Sequence, residues 1–256
     1  MSIIERLFSL RGKIALITGG NSGIGFALAR ALAQAGAAVV LAARRADELN
    51  EAAARITAEG GRAGTVACDL ADREQIGLCA ERAATFFGAP DILVNAAGVN
   101  HRRPIDEVTD SDWDATLAVN LSAPFFLSRR LASAMIEKRW GRIINVASLQ
   151  SVRAFANSSP YGASKGGLMQ LTRAQAQAWS RHGITCNAIA PGFFPTPLTA
   201  PVFDDPQRAR AAAAQTMIGR NGELADLYGT AIFLASIASD YITGQTIFVD
   251  GGFTAG

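Results

Sequence analysis

Histidine and cysteine are scarce in this chain, with two of the first and three of the second among 256 residues, and the scarcity excludes whole classes of chemistry. His101 and His182 are too few, and Cys68, Cys79 and Cys186 too scattered, to give metal-ligand spacing or a disulfide framework. No metal is therefore expected, and the cysteines read as reduced residues of a cytoplasmic protein. An excess of one charge is also missing. The 24 basic and 22 acidic residues leave a net charge of +2, so no polyanion-binding surface is implied and nucleic acid is not an expected partner. The longest apolar stretch, Phe26 to Ala43, is interrupted by Arg30, Gln34 and Gly36. That pattern is helix, turn and strand, not a membrane span. The N-terminal segment has no signal-peptide pattern, and no Pro/Ser/Gly-rich linker or internal repeat divides the chain.

What is present is a composition 49% hydrophobic and 18% charged, which suits a globular fold with a substantial core. Strand-length apolar runs alternate with helical spacing throughout. Strands are expected at Lys13–Ile17, Ala38–Ala42, Thr65–Cys68, Ile92–Asn95, Gly141–Val146, Ile184–Ile189 and Gln245–Val249. Helices are expected at Phe26–Gly36, Asp47–Glu59, Arg73–Phe87, Asp112–Lys138 with a bend at Pro124, and Ser159–Arg181. Strands this apolar are buried on both faces, and their alternation with helices implies parallel pairing. The expected fold is one doubly wound (Rossmann-type) α/β domain over 1–256, a parallel seven-stranded sheet with helices on both faces. The longest irregular region, Gly192 to about Asp205, bears Pro195, Pro197 and Pro201. A stretch of that kind is usually functional, so 192–217 is expected to form a lid.

Ligands in such sheets bind beyond the carboxyl ends of the strands. After the first strand runs Thr18-Gly19-Gly20-Asn21-Ser22-Gly23-Ile24-Gly25. A strand turning through glycines into a helix presents unpaired N–H groups and a helix dipole to a phosphate; the alternative is a tight turn with no ligand. Tyr161 and Lys165 stand four apart and share a helix face. A phenol near its reference pKa of about 10 is a poor acid-base group at neutral pH. An adjacent ammonium is expected to pull that value down. Ser148 lies in the loop after the fifth strand, where its hydroxyl would hold the same substrate oxygen.

With Asp69, Asn95-Ala96-Ala97-Gly98, Asn120, Pro191-Gly192 and Thr196, these motifs make the chain resemble a short-chain dehydrogenase/reductase from end to end. Many members have asparagine where Ala96 stands. The resemblance implies a nicotinamide dinucleotide across the sheet edge and hydride exchange with an alcohol or ketone. It implies Tyr161 as proton donor or acceptor and Ser148 as the group positioning the substrate oxygen. Lys165 would lower the tyrosine pKa and bind the nicotinamide ribose, and Asn120 would anchor a relay water. Asp69 would meet the adenine and Thr196 the carboxamide. Gly19, Asn21, Ser22, Gly23, Ile24, Gly25, Leu70, Asn95, Ala96, Gly98, Pro191 and Gly192 complete the implied cofactor set. A homotetramer is also implied.

An acidic residue ending the second strand would bind an NAD ribose, but here Ala43 is followed by Arg44 and Arg45. A guanidinium suits a 2′-phosphate, so NADP(H) is expected, with NAD(H) the other candidate and solvated surface charge the alternative reading. Arg102 and Arg103 either recognise a substrate carboxylate or form surface ion pairs. Gln150 and Asn157 are candidate partners for substrate hydroxyls. Phe155, Phe193 and Phe194 are pocket wall or lid core. The Ser148-Leu149-Gln150-Ser151 segment is similar to gluconate 5-dehydrogenases and related sugar-acid or polyol dehydrogenases of the family. The competing readings are a 3-oxoacyl-[acyl-carrier-protein] reductase, docked through Arg102, Arg103 and Arg153, and a dinucleotide-binding sensor without catalysis. The small-molecule substrate of a sugar-acid enzyme is the favoured one.

Overall fold

The computed structural model of the protein describes residues 2–256. Strands β1 (Ile14–Thr18), β2 (Ala38–Ala43), β3 (Arg62–Ala67), β4 (Ile92–Asn95), β5 (Gly141–Val146), β6 (Ile184–Pro191) and β7 (Thr246–Val249) form one parallel sheet. Its order is β3-β2-β1-β4-β5-β6-β7. The helices are α1 (Ile3–Phe8), α2 (Gly23–Gln34), α3 (Ala46–Ala58), α4 (Arg73–Phe87), α5 (Asp110–Leu117), α6 (Ala123–Lys138), α7 (Ser159–Trp179), α8 (Ala200–Phe203), α9 (Pro206–Ala214) and α10 (Tyr228–Ala235). Among the described residues, no helix is long and apolar enough to cross a membrane.

The period of the strands builds two cores. Ala15, Ile17, Val39 and Leu41 point into a cluster shared with α2, α3 and α10. Their neighbours Leu16, Val40 and Ala42 point the other way, into a cluster shared with α4, α6 and α7. Each fully buried leucine or isoleucine contributes about 1.5–3 kcal/mol, so both faces of the central strands must be apolar. The edge strand β3 escapes that demand. It begins at Arg62, three residues before the expected start, because only one face needs burial. There the Arg62 guanidinium lies over the Phe87 ring, and a Cβ at Gly64 would fall 2.5 Å from Phe86.

The expected long helix is interrupted. Pro124 has no N–H to give the carbonyl of Asn120, and the backbone widens to π spacing across Ala118–Ser122, with Ala123 N–H donating to the Ala118 carbonyl. Such widening is frequent at functional sites. The segment expected to be irregular after Gly192 contains a turn at Pro197–Thr199 and then α8 and α9. Helices α1 and α10 were not signalled by the sequence pattern.

Between β1 and β4 the strand order reverses. Thr18 pairs in register with Asn95, so the glycine turn after β1 and the Ala96–Val99 loop after β4 leave the sheet side by side. Their approach is close: a Cβ on Gly19 would fall 2.9 Å from the Ala97 Cα. Thr18 Oγ1 accepts from the N–H groups of both Ala96 (3.1 Å) and Ala97 (3.2 Å).

Candidate active site

A cleft of about 440 Å³ opens along this edge, within the usual range for ligand pockets. One end is made by the glycine turn and the N-terminus of α2. A Cβ on Gly25 would fall 2.2 Å from the Gly19 carbonyl oxygen, and one on Gly23 would fall 3.2 Å from Thr196 Cβ. Gly23 also holds φ +54. Only glycine satisfies these positions, and the cradle they leave fits a pyrophosphate against backbone N–H groups. Asn21, Ser22, Ile24, Asp69, Leu70, Ala96, Pro191, Gly192 and Thr196 line the same cleft.

Arg44 and Arg45 both reach this wall but differ in state. Arg45 is ion-paired with Glu48, whose other oxygen accepts from Asn21 Nδ2 at 2.7 Å. The Glu48 carboxylate near the end of β2 is thereby paired. Arg44 makes no ion pair or hydrogen bond among the described residues, so its guanidinium is available to an anion. An uncompensated cation in place of the acid that would repel a 2′-phosphate fits the phosphorylated dinucleotide.

At the other end stand Ser148, Tyr161 and Lys165. Ser148 caps a short turn, accepting from Gln150 N–H at 3.1 Å, and its side chain lies near enough to the Tyr161 phenol to oppose the rise in its pKa. Lys165 is fully enclosed. Its Nζ donates to the Val146 carbonyl at 2.7 Å and lies 5.6 Å from the centre of the Tyr161 ring. Burial brings its ammonium down from 10.5 to about 8. The phenol departs from the sequence expectation. Burial raises its pKa, opposed by the Ser148 hydrogen bond and by the charge of Arg102, and Lys165 is not among the groups that lower it. Desolvation of the anionic form outweighs these partners.

Helix α7 carries Tyr161 and Lys165 and is held by a buried polar chain. Asn95 Nδ2 donates to Asn145 Oδ1 (2.8 Å), and Asn145 Nδ2 donates to Thr172 Oγ1 (2.9 Å) and Gln175 Oε1 (3.0 Å). A buried network of this kind ties the sheet to the helix. The Asn95 side chain, 2% exposed and off the cleft wall, serves as a tie from sheet to helix. Asn120 is likewise internal. Its Oδ1 accepts from Val99 N–H, and its Nδ2 donates to the Val99 carbonyl and to Ser164 Oγ, at 2.9, 2.9 and 3.1 Å. Both amide protons are taken up by protein groups. They set the Gly98–Val99 loop against α7, where a Cβ on Gly98 would fall 3.7 Å from Lys165 Nζ.

The candidate substrate residues divide. Arg102 and Gln150 line the cleft, and Arg102 Nη2 meets the Leu198 carbonyl at 3.4 Å. Arg103 does not line it. Its guanidinium pairs with Asp112 at 2.9 Å on the surface. Asn157 is exposed with φ +57, outside the cleft. Phe155, Phe193 and Phe194 are wall residues, and the first two pack on Phe253 with ring centres 6.1 and 5.8 Å away. Asn100, which directly follows the Gly98–Val99 loop, lines the same wall.

Residues 19–254 match the family model described as enoyl-(acyl carrier protein) reductase. The chain is 40% identical over 248 residues to gluconate 5-dehydrogenase of Gluconobacter oxydans, covering 97% of each. It is also 40% identical over 254 residues to 2-dehydro-3-deoxy-D-gluconate 5-dehydrogenase of Escherichia coli, covering 99% of this chain and 100% of that one. Among solved structures it resembles a gluconate 5-dehydrogenase from Burkholderia cenocepacia in complex with NADP and tartrate. That match has 41% identity, a TM-score of 0.94, and coverage of 98% and 99% of the two chains.

Proposed function

The chain belongs to the short-chain dehydrogenase/reductase family and is an NAD(P)-dependent oxidoreductase of CH–OH groups, and we propose that it interconverts a sugar acid and its keto form with NADP(H). The observation that carries the proposal is one cleft with an unpaired Arg44 beside the glycine cradle at one end and Ser148, Tyr161 and Lys165 at the other. The names of the relatives support a sugar acid, and so does Arg102, a guanidinium on the wall that matches a carboxylate.

The bound dinucleotide supplies the hydride chemistry. The protein contributes binding, orientation and proton handling. The α2 N-terminus and the glycine cradle hold the phosphates, and Arg44 holds the 2′-phosphate with Arg45 beside it. Asp69 and Leu70 flank the adenine, and Thr196 with Pro191 and Gly192 flank the other end. Ser148 donates a hydrogen bond to the substrate oxygen. Tyr161 exchanges a proton with that oxygen, and Lys165 stabilises the phenolate when the proton has left. Asn120 acts through Val99 as a positioning residue. Residues 192–217 close over the substrate as part of the single domain 1–256. The chain assembles as a homotetramer, which would cover the exposed Trp113 and Phe125 of α5 and α6. Its three free, buried cysteines suit the reducing cytoplasm.

Arg44→Ala is expected to weaken NADP+ binding on the order of tenfold to a hundredfold, the range for a lost charge-assisted contact, and to leave NAD+ binding unchanged. Equal effects on the two cofactors would remove Arg44 from the 2′-phosphate site. The substrate is tested on a panel of D-gluconate, other aldonates, polyols and an acetoacetyl thioester, followed by reduced-nicotinamide absorbance. Turnover is expected with aldonates. Activity confined to the thioester would replace this reading with a 3-oxoacyl reductase.

A further inference from the structure

Among the described residues, five buried side-chain polar atoms have no hydrogen-bond partner: Asn100 Oδ1, Gln150 Oε1, Gln175 Nε2, Thr185 Oγ1 and Asn221 Oδ1. A buried acceptor left unpaired costs about 1–3 kcal/mol, so each calls for a reason. Only Asn100 and Gln150 line the cleft, and both stand beside the proton-handling group. Asn100 Nδ2 donates to Ser158 Oγ at 3.4 Å, three residues before Tyr161, which fixes the amide and leaves its oxygen unused. Gln150 follows Ser148 by two residues, and its Oε1 lies 3.8 Å from the Cβ position of Gly162, next to Tyr161.

We propose that Asn100 and Gln150 are specificity-determining residues whose unpaired amide oxygens each accept a hydrogen bond from a substrate hydroxyl. The substrate would then carry at least two hydroxyl groups close to the reacting carbon. The inference rests on the sugar-acid reading and narrows it. A thioester or simple ketone has no O–H to offer and would bury both oxygens unpaired, and a site built to bond a hydroxyl discriminates strongly against an analogue without one. Arg102, on the same wall, takes the carboxylate.

The experiment compares D-gluconate with its 4-deoxy and 6-deoxy analogues in wild type, Gln150→Met and Asn100→Leu. These substitutions keep side-chain size and remove the amide. Each is expected to lower kcat/KM for D-gluconate by about tenfold or more. Each should have no effect on the analogue that lacks the hydroxyl its residue binds, while NADPH binding stays at the wild-type level. Equal losses on all three substrates, or no loss on D-gluconate, overturn the inference and leave the sugar-acid function standing. Wild-type inactivity on every hydroxy acid overturns the function, and the inference with it. Should a substitution prevent folding, the wild type still decides: each analogue is expected to lose tenfold or more, and a deoxy analogue turned over as well as the parent refutes the proposal.

Discussion

Tyr161→Phe is expected to reduce turnover by about a thousandfold or more while NADPH binding and the melting temperature stay near wild type. The ring remains, so the cleft wall keeps its volume and no cavity forms. The lost hydroxyl faces Ser148, and Ser148 keeps its contact with Gln150 N–H. What disappears is the one neutral acid in the cleft with a proton to exchange at the substrate oxygen. Ser148 cannot replace it, because an unassisted hydroxyl is far too weak an acid or base at neutral pH. NADPH fluorescence separates binding from turnover. Retention of a tenth or more of the wild-type rate would show that the proton travels by another route.

The burial of the phenol explains both why the site was legible in the sequence and where that legibility ended. Central strands must be apolar on both faces, so β1, β2, β4, β5 and β6 stood out as continuous runs. The chemistry at their ends could then be placed by order alone. β3 lies at an edge, tolerates Arg62 and Gly64, and hid its first half. Side-chain direction was not legible either. Arg102 and Arg103 are neighbours, yet one lines the cleft and the other turns away to Asp112. Asn95 sits at a strand end among cofactor-facing loops but points into the sheet towards Asn145. Electrostatics was the least legible. A lysine four residues from a tyrosine suggests a lowered phenol pKa, whereas the sign here is set by desolvation, a sum over every element packed around the ring. The unpaired oxygens of Asn100 and Gln150 belong to the same class, since a missing partner is a property of the whole surroundings and leaves no mark in local sequence.

Lys165→Met is expected to lower kcat by about a hundredfold and to remove a titration from both activity and stability. Burial brings the ammonium from 10.5 to about 8 in the folded chain. A folded value below the unfolded one means that folding disfavours the proton. At pH values below about 8 both states are protonated, and the full penalty, about 3 kcal/mol, is present. Between about 8 and 10.5 the unfolded chain binds more protons than the folded one, so stability rises with pH. Methionine fills the space without the charge but forfeits the bond to the Val146 carbonyl, a loss of about 1–3 kcal/mol. The two effects nearly cancel. The variant should therefore melt within a few degrees of wild type at pH 7 and lack the gain that wild type shows above pH 8. In the oxidative direction Tyr161 must accept the alcohol proton, and burial makes its phenol slow to give up its own. Wild-type kcat/KM should accordingly rise with pH. Without the ammonium to balance a phenolate, the rise should move to higher pH, in the direction burial already pushes the phenol. An unchanged pH profile in the variant would separate Lys165 from the proton transfer and leave it a purely structural residue of the cleft.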